Sequence, residues 1–312
     1  MAGIINDGRS VADFQHFTFS GHSRKLANKS LLESIQLGHA DYACYWSLEL
    51  LCSGLVHSLW DTLFESASLY IHRSCPNIFT YLTTQYERFG VIERGFSVSN
   101  MTSIRNREDA RNLVCETATV LAIAKKQKTV TLPTVKPEHD FQETTVRENL
   151  RATTQHAGTP FLKENDPYEV GIPFNEFCFA IQTKDTQRAL YWMSWIMRFA
   201  TEKKKQTKHA FECAERRNAY VESKHAKHLH WMFWEAIRAQ GNMYVEALFK
   251  LYCLRWSKNK TYLITAVLFV TEALNTTEPA RRNENEIAAN MQKIPQWMET
   301  IEATKNSFSS RQ

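Results

Sequence analysis

Two stretches 146 positions apart carry the same signature: Ile35-Gln36 followed by Ala43-Cys44-Tyr45-Trp46, and Ile181-Gln182 followed by Ala189-Leu190-Tyr191-Trp192, in register and without a gap. An aromatic pair beside alanine on a helix lets a neighbouring helix approach closely and seat a ring over the small residue. A signature of this kind at a fixed offset predicts two related helical units. Their repeat core is Ile35, Ala43, Tyr45 and Trp46 in the first and Ile181, Ala189, Tyr191 and Trp192 in the second. The predicted fold class is all-α: two related multi-helix units, an internal duplication, joined by an irregular Pro-rich connector. Only 10 Gly and 8 Pro are spread over 312 residues, which favours long helices over many-turned β architectures.

Hydrophobic spacing and breakers divide the chain further. Residues 1–24 are polar and irregular, and read as an extended N-terminal arm that orders against a partner. Residues 25–127 form helical unit 1. Asp41 stands where a helix N-cap is expected, Gly54 where a helix stop is expected, and Pro76 opens another helix. Residues 128–173 form the connector, punctuated by prolines and glycines, with a short strand expected at Thr129-Val130-Thr131-Leu132-Pro133 and one helix near Asp140 to Thr154. Residues 174–279 form helical unit 2, in which Asp185 takes the cap-like place of Asp41 and Leu263 to Leu274 parallels Leu113 to Ile123. Residues 280–312 are a polar tail, with a last helix near Ile294 to Met298.

The apolar run at Leu263 to Leu274 is too short to cross a bilayer, so no membrane span is expected. No secretory signal is evident at the N-terminus. Seven cysteines, an odd number without a CxxC pair, read as free buried thiols of a reducing compartment. The net charge of +5 is mild, well short of the balance that announces a nucleic-acid binder. Aromatic residues reach 12%, with eight Trp; such residues bury large areas in cores and at interfaces.

The most basic segment is an insert in the second half. Lys203, Lys204, Lys205, Lys208, Arg216, Arg217, Lys224 and Lys227 are the candidate contacts to an acidic ligand or partner. Glu202, Glu212, Glu215 and Glu222 are interleaved, so a solvated helix with internal ion pairs is the alternative. His209 with Cys213, and His225 with His228 and His230, raise a metal question, but the spacing fits no standard site and no metal is expected. No phosphate loop, dinucleotide fingerprint, zinc-protease helix or nucleophile elbow is present. Catalytic residues and cofactors are therefore expected to be none.

Two resemblances follow from these residues. Ile35-Gln36-Leu37-Gly38, Ala43-Cys44-Tyr45-Trp46, Leu48-Glu49-Leu50, Ser53-Gly54 and Leu59-Trp60 resemble the helical C-terminal region of the RarA/MgsA group of clamp-loader-like ATPases. That region serves oligomerisation, and the likeness covers some thirty residues. The ATPase module with its phosphate loop is absent, so the resemblance implies a shared helical packing mode and no ATPase activity. Most of the chain is similar to an uncharacterised family of large nucleocytoplasmic DNA viruses of algae and protists. Tyr45-Trp46, Leu59-Trp60, Tyr70-Ile71-His72, Asn175-Glu176-Phe177, Tyr191-Trp192, Glu215-Arg216-Arg217-Asn218, Trp231 with Trp234, and Leu274 with Glu278-Pro279 carry that likeness, in order.

The second resemblance implies a context: a viral protein made in the host cytoplasm, in a viral factory, and packaged in the virion. The expected function is that of a non-enzymatic structural or assembly protein, a minor capsid protein whose partners are other capsid or virion proteins. The alternative is a replication or genome-packaging factor that holds nucleic acid through the basic 203–228 insert.

Overall fold

Ser23 starts the first helix: its hydroxyl accepts the Leu26 amide at 3.2 Å, filling one of the free donors of a helix N-terminus. The computed structural model describes residues 4–256 and 259–309. The chain is all-α, about 66% helical, with no strand among the described residues. The stretch expected as a strand at 129–133 is irregular. The molecule divides into two units, one holding the chain up to Lys128 together with Asn275 onward, the other Thr129–Leu274.

Unit 1 opens with α1 (Arg24–Leu37), α2 (Ala40–Cys52), α3 (Val56–Tyr70), α4 (Asn77–Glu93) and α5 (Glu108–Ile123). Most of α5 is buried around its circumference, with Ala110, Leu113, Val114, Ala118, Val120 and Leu121 all in the core and only a narrow polar edge at Glu108, Asp109, Asn112 and Glu116. A helix whose apolar face is that wide belongs inside, and α1, α2, α3 and α4 all pack against it.

The first residues are not an arm awaiting a partner. Phe14 and Phe19 are each 1% exposed. The amides of Phe19 and Ser20 donate to Ser53 Oγ and Glu49 Oε1 at 2.8 Å each, and Ser20 Oγ donates to Glu49 Oε2 at 2.7 Å. Side chains of α2 thus supply the partners that a buried irregular backbone requires, and the two rings contribute apolar burial worth about 1.5–3 kcal/mol each.

Unit 2 contains α6 (Pro137–Asp140), α7 (Glu143–Asn149), α8 (Gly171–Gln182), α9 (Thr186–Thr207), α10 (His230–Arg238), α11 (Met243–Leu254) and α12 (Thr261–Thr271). The expected connector, 128–173, is part of this unit rather than a link. Ser194 Oγ donates to the Pro133 carbonyl (2.7 Å), Trp195 Nε1 to the Asp140 carbonyl (2.8 Å) and Tyr191 Oη to Asp140 Oδ1 (3.1 Å), all from α9. The central helix is α12, apolar on every side, with α8, α9, α10 and α11 packed on it. Unit 2 ends at Leu274, short of the expected boundary at 279. The chain then returns to unit 1 through α13 (Glu284–Met291) and α14 (Ile294–Ser309). The expected tail is thus two docked helices. Asn290 Nδ2 donates to Thr119 Oγ1 (2.7 Å) and the Ala40 carbonyl (3.0 Å), and Lys293 pairs with Asp41 at 2.7 Å.

Part of the packing of unit 1 recurs in unit 2: α8 packs on α9 as α1 does on α2, and α12 receives α8, α9, α10 and α11 as α5 receives α1, α2, α3 and α4, whereas the packing of α3 on α1 and α2 has no comparable counterpart between α10 and α8 or α9. The first hairpin of each unit turns in the same way. Gly38 (φ 78°) and Lys184 (φ 59°) both take left-handed backbone. His39 N donates to Ser34 O (2.9 Å) and Gly38 N to Ile35 O (3.3 Å); Asp185 N donates to Ala180 O (2.8 Å) and Lys184 N to Ile181 O (3.3 Å). This paired bonding is the Schellman end of a helix, repeated at the offset of the sequence signature. The Tyr45–Trp46 and Tyr191–Trp192 ring pairs also agree, both 5.1 Å apart and at 80° and 74°.

The surroundings of the two tryptophans differ. Trp192 is fully buried, whereas Trp46 is half-buried, edge-on to His22 at 5.1 Å. Tyr45 meets Trp297 of α14, while Tyr191 meets Asp140 of α6. Different segments cover the two signatures, so Trp46 does not share the enclosed core position of Trp192. Ile35, Ala43, Ile181 and Ala189 are all buried. The matched aspartates also diverge: Asp185 caps α9 through the Arg188 amide (3.1 Å), but Asp41 lies inside the first turn of α2 and pairs with Lys293.

Candidate anion-binding cleft

Helix α9 runs on past its core residues into Lys203, Lys204 and Lys205, and closes on Lys208 in left-handed conformation (φ 63°). Cations in a last turn face the negative end of the helix dipole, so this run stabilises the helix that carries it. The chain then loops back, and Arg216 pins the loop. Its guanidinium donates to both Asp166 oxygens (2.7 Å each), to Glu235 Oε2 (2.6 Å) and to the Phe161 carbonyl (2.9 Å). Cys213 N and Arg216 N donate to the Lys227 and Ala226 carbonyls at 2.9 and 2.8 Å, tying the two limbs of the loop together.

Between α9, this loop and the 132–135 segment lies a cleft of about 630 Å³, within the roughly 300–1,000 Å³ usual for ligand sites. Met197, Ala200, Thr201 and Lys204 line it at helical spacing from α9, and Leu132, Pro133 and Val135 form an apolar floor. Among the described residues its lining includes four cations, Arg198, Lys204, Lys224 and Lys260, against a single carboxylate, Glu212. Arg198 pairs with Glu202 (3.0 Å) and Lys224 with Glu222 (2.7 Å). Lys204 and Lys260 have no ion-pair partner among the described residues. The positive field of such a concave wall is focused on whatever enters it.

Aromatic groups complete the walls. Phe211 meets Phe199 edge-on at 5.7 Å, and Phe199 stacks on Trp195 at 5.1 Å and 10°. His225 stacks flat on Trp256, at 3.8 Å and 11°. The indole of Trp231 donates to the His225 carbonyl (2.8 Å), fixing that turn. His228 and His230 also line the cleft, their rings 4.2 Å apart, and His230 Nδ1 lies 2.9 Å from the Tyr252 hydroxyl.

Of the eight cations singled out in the sequence, the cleft gathers Lys204 and Lys224. Lys203 lies 3.8 Å from Glu169 and over the Phe199 ring. Lys205 pairs with Glu202 (2.9 Å), Arg217 pairs with Glu215, and Lys208 and Lys227 are exposed. Arg216, expected as a surface contact, is instead buried, its charge neutralised by Asp166 and Glu235, and serves as a structural lock. Lys260 and Arg198 were not foreseen. Arg198 shares the α9 face of Ser194, Thr201 and Lys204, a helical period that could have revealed it. Lys260 comes from the start of α12, and nothing local in the sequence links it to the insert.

No group of three or more His, Cys, Asp or Glu with metal-holding geometry occurs among the described residues. All seven cysteines are free and buried. No helix among the described residues is long and apolar enough to cross a membrane. No protein-family model matches the chain, and neither a curated protein nor a solved structure matches it.

Proposed function

We propose that this chain is a non-enzymatic binding protein that holds the phosphates of nucleic acid in the cleft of unit 2. The observation that carries this reading is the sign imbalance of the cleft, above all Lys204 and Lys260, which have no ion-pair partner among the described residues. A phosphate backbone supplies the counter-charge and gains by releasing its own condensed ions. The hydroxyl of Ser194, at the cleft, is spent on the Pro133 carbonyl, which supports holding rather than nucleophilic chemistry. The proposed setting is a large DNA virus, with the protein made in the host cytoplasm and acting in replication or genome packaging. The shared hairpin turns and the packing of four helices on one central helix in each unit support descent of both units from one helical ancestor.

A salt titration of binding tests this. Fluorescence anisotropy with a labelled oligonucleotide is expected to give micromolar or tighter binding at low salt. Four cations predict a log–log slope of about −3 against salt. Absence of binding at low salt contradicts the reading.

A second reading, a minor capsid protein contacting other capsid subunits, is favoured by Tyr168 and Ile172. They are 88% and 61% exposed, four positions apart at the entry to α8. Exposed aromatics of this kind serve as interface anchors. Mass spectrometry of purified virions at capsid-like stoichiometry supports that reading, and presence in infected cells without incorporation contradicts it.

A further inference from the structure

We infer that the strand held in the cleft is unpaired, with a base stacked on Phe211 and a neighbouring base on the His225 face backed by Trp256. This rests on the nucleic-acid reading above and deepens it. A duplex turns its phosphates outward and buries its base faces in its own stack, so it has no π surface to offer a recessed ring. A single strand offers both phosphates and base faces. Sites for unpaired strands combine a cationic groove with aromatic platforms, because every base has a face to stack.

The cleft has both components. Its cations Lys204, Arg198, Lys224 and Lys260 surround walls that include Phe211 and His225. Both rings are held in place before any ligand arrives. Phe211 is braced by the Trp195–Phe199 stack, which is itself anchored by the Trp195 hydrogen bond to the Asp140 carbonyl. His225 is held by Trp256 in parallel contact and by the Trp231 indole on its carbonyl. Rings fixed in this way lose little freedom when a base docks. At about 630 Å³ the cleft has the size of a small-molecule pocket, which suits individual nucleotides rather than the full width of a double helix.

The test uses the full chain with a labelled single strand and a duplex of the same length and sequence. The single strand is expected to bind at least tenfold more tightly. Phe211→Ala is expected to weaken single-strand binding on the order of ten- to a hundredfold and the weaker duplex binding by much less. Phe211→Trp, which keeps a stacking face, is expected to retain single-strand affinity. Photocrosslinking of the unaltered protein to a bromouridine-substituted strand gives a readout free of folding effects, with adducts expected on the peptides containing Phe211 or His225. Equal affinity for both forms, or crosslinks confined to other peptides, overturns this inference while the nucleic-acid reading stands. Binding of neither form overturns both.

Discussion

Arg216 donates to both carboxylate oxygens of Asp166 at 2.7 Å, with the two side chains only 4% and 2% exposed. Removing one partner of a buried pair leaves an uncompensated charge, at a cost of about 3–5 kcal/mol. Arg216→Met is therefore expected to lower the unfolding free energy, read from a urea titration, by that amount. A loss below about 1 kcal/mol would mean that the pair behaves as an exposed one and that the loop is pinned by other contacts.

The same pair sets an acid limit. Burial pushes the Asp166 carboxyl up, but hydrogen bonds from Arg216 and from the Lys163 and Ala214 amides outweigh it and hold the group below its ordinary value. A carboxyl with a depressed folded pKa contributes stability that is present above the unfolded value, about 4, and is lost as pH falls through the folded one. Stability followed by denaturant midpoint is expected to fall on acidification below about pH 4, and less steeply in Asp166→Asn.

Gly38 and Lys184 occupy the same left-handed turn position in the two units. A methyl on Gly38 would meet the Ala122 carbonyl at 3.5 Å, an ordinary contact, so the cost of Gly38→Ala is the backbone conformation, about 1–2 kcal/mol. Lys184→Gly removes that strain and is expected to stabilise by up to about 1 kcal/mol. Thermal unfolding of the two variants should therefore shift in opposite directions.

Glu49 anchors the N-terminal segment. Glu49→Ala removes the acceptors of the Ser20 amide and hydroxyl. Hydrogen exchange in the Phe14–Ser20 segment should speed up by more than tenfold, while α5 amides keep their protection. Fast exchange of this segment in the unaltered protein would contradict its docking on α2.

Helix content and the two central helices were legible in the sequence, because runs such as Thr261–Thr271 have no polar face and belong inside wherever they occur. The hairpin repeat was legible because it is local. What escaped was long-range. The N-terminal segment reads as polar, and its burial depends on distant side chains, Glu49 of α2 and Ser53 at its end, which take up the Phe19 and Ser20 amides. Arg216 sits among exposed cations in sequence, but Asp166, fifty positions earlier, takes it out of solvent. Lys260 joins Lys204 through the packing of α12 on α9, which no local pattern encodes.

Under the nucleic-acid proposal the cleft of unit 2, and not basic charge in general, holds the strand. The most direct measurement compares salt-dependent oligonucleotide binding in two double variants of equal charge change. One removes cleft cations, Lys204→Gln with Lys260→Gln; the other removes cations outside it, Lys205→Gln with Lys227→Gln. The first is expected to flatten the log–log salt slope by about 1.5 and weaken binding strongly, with the second close to the unaltered protein. Equal losses in both, or none in the first, would contradict the account.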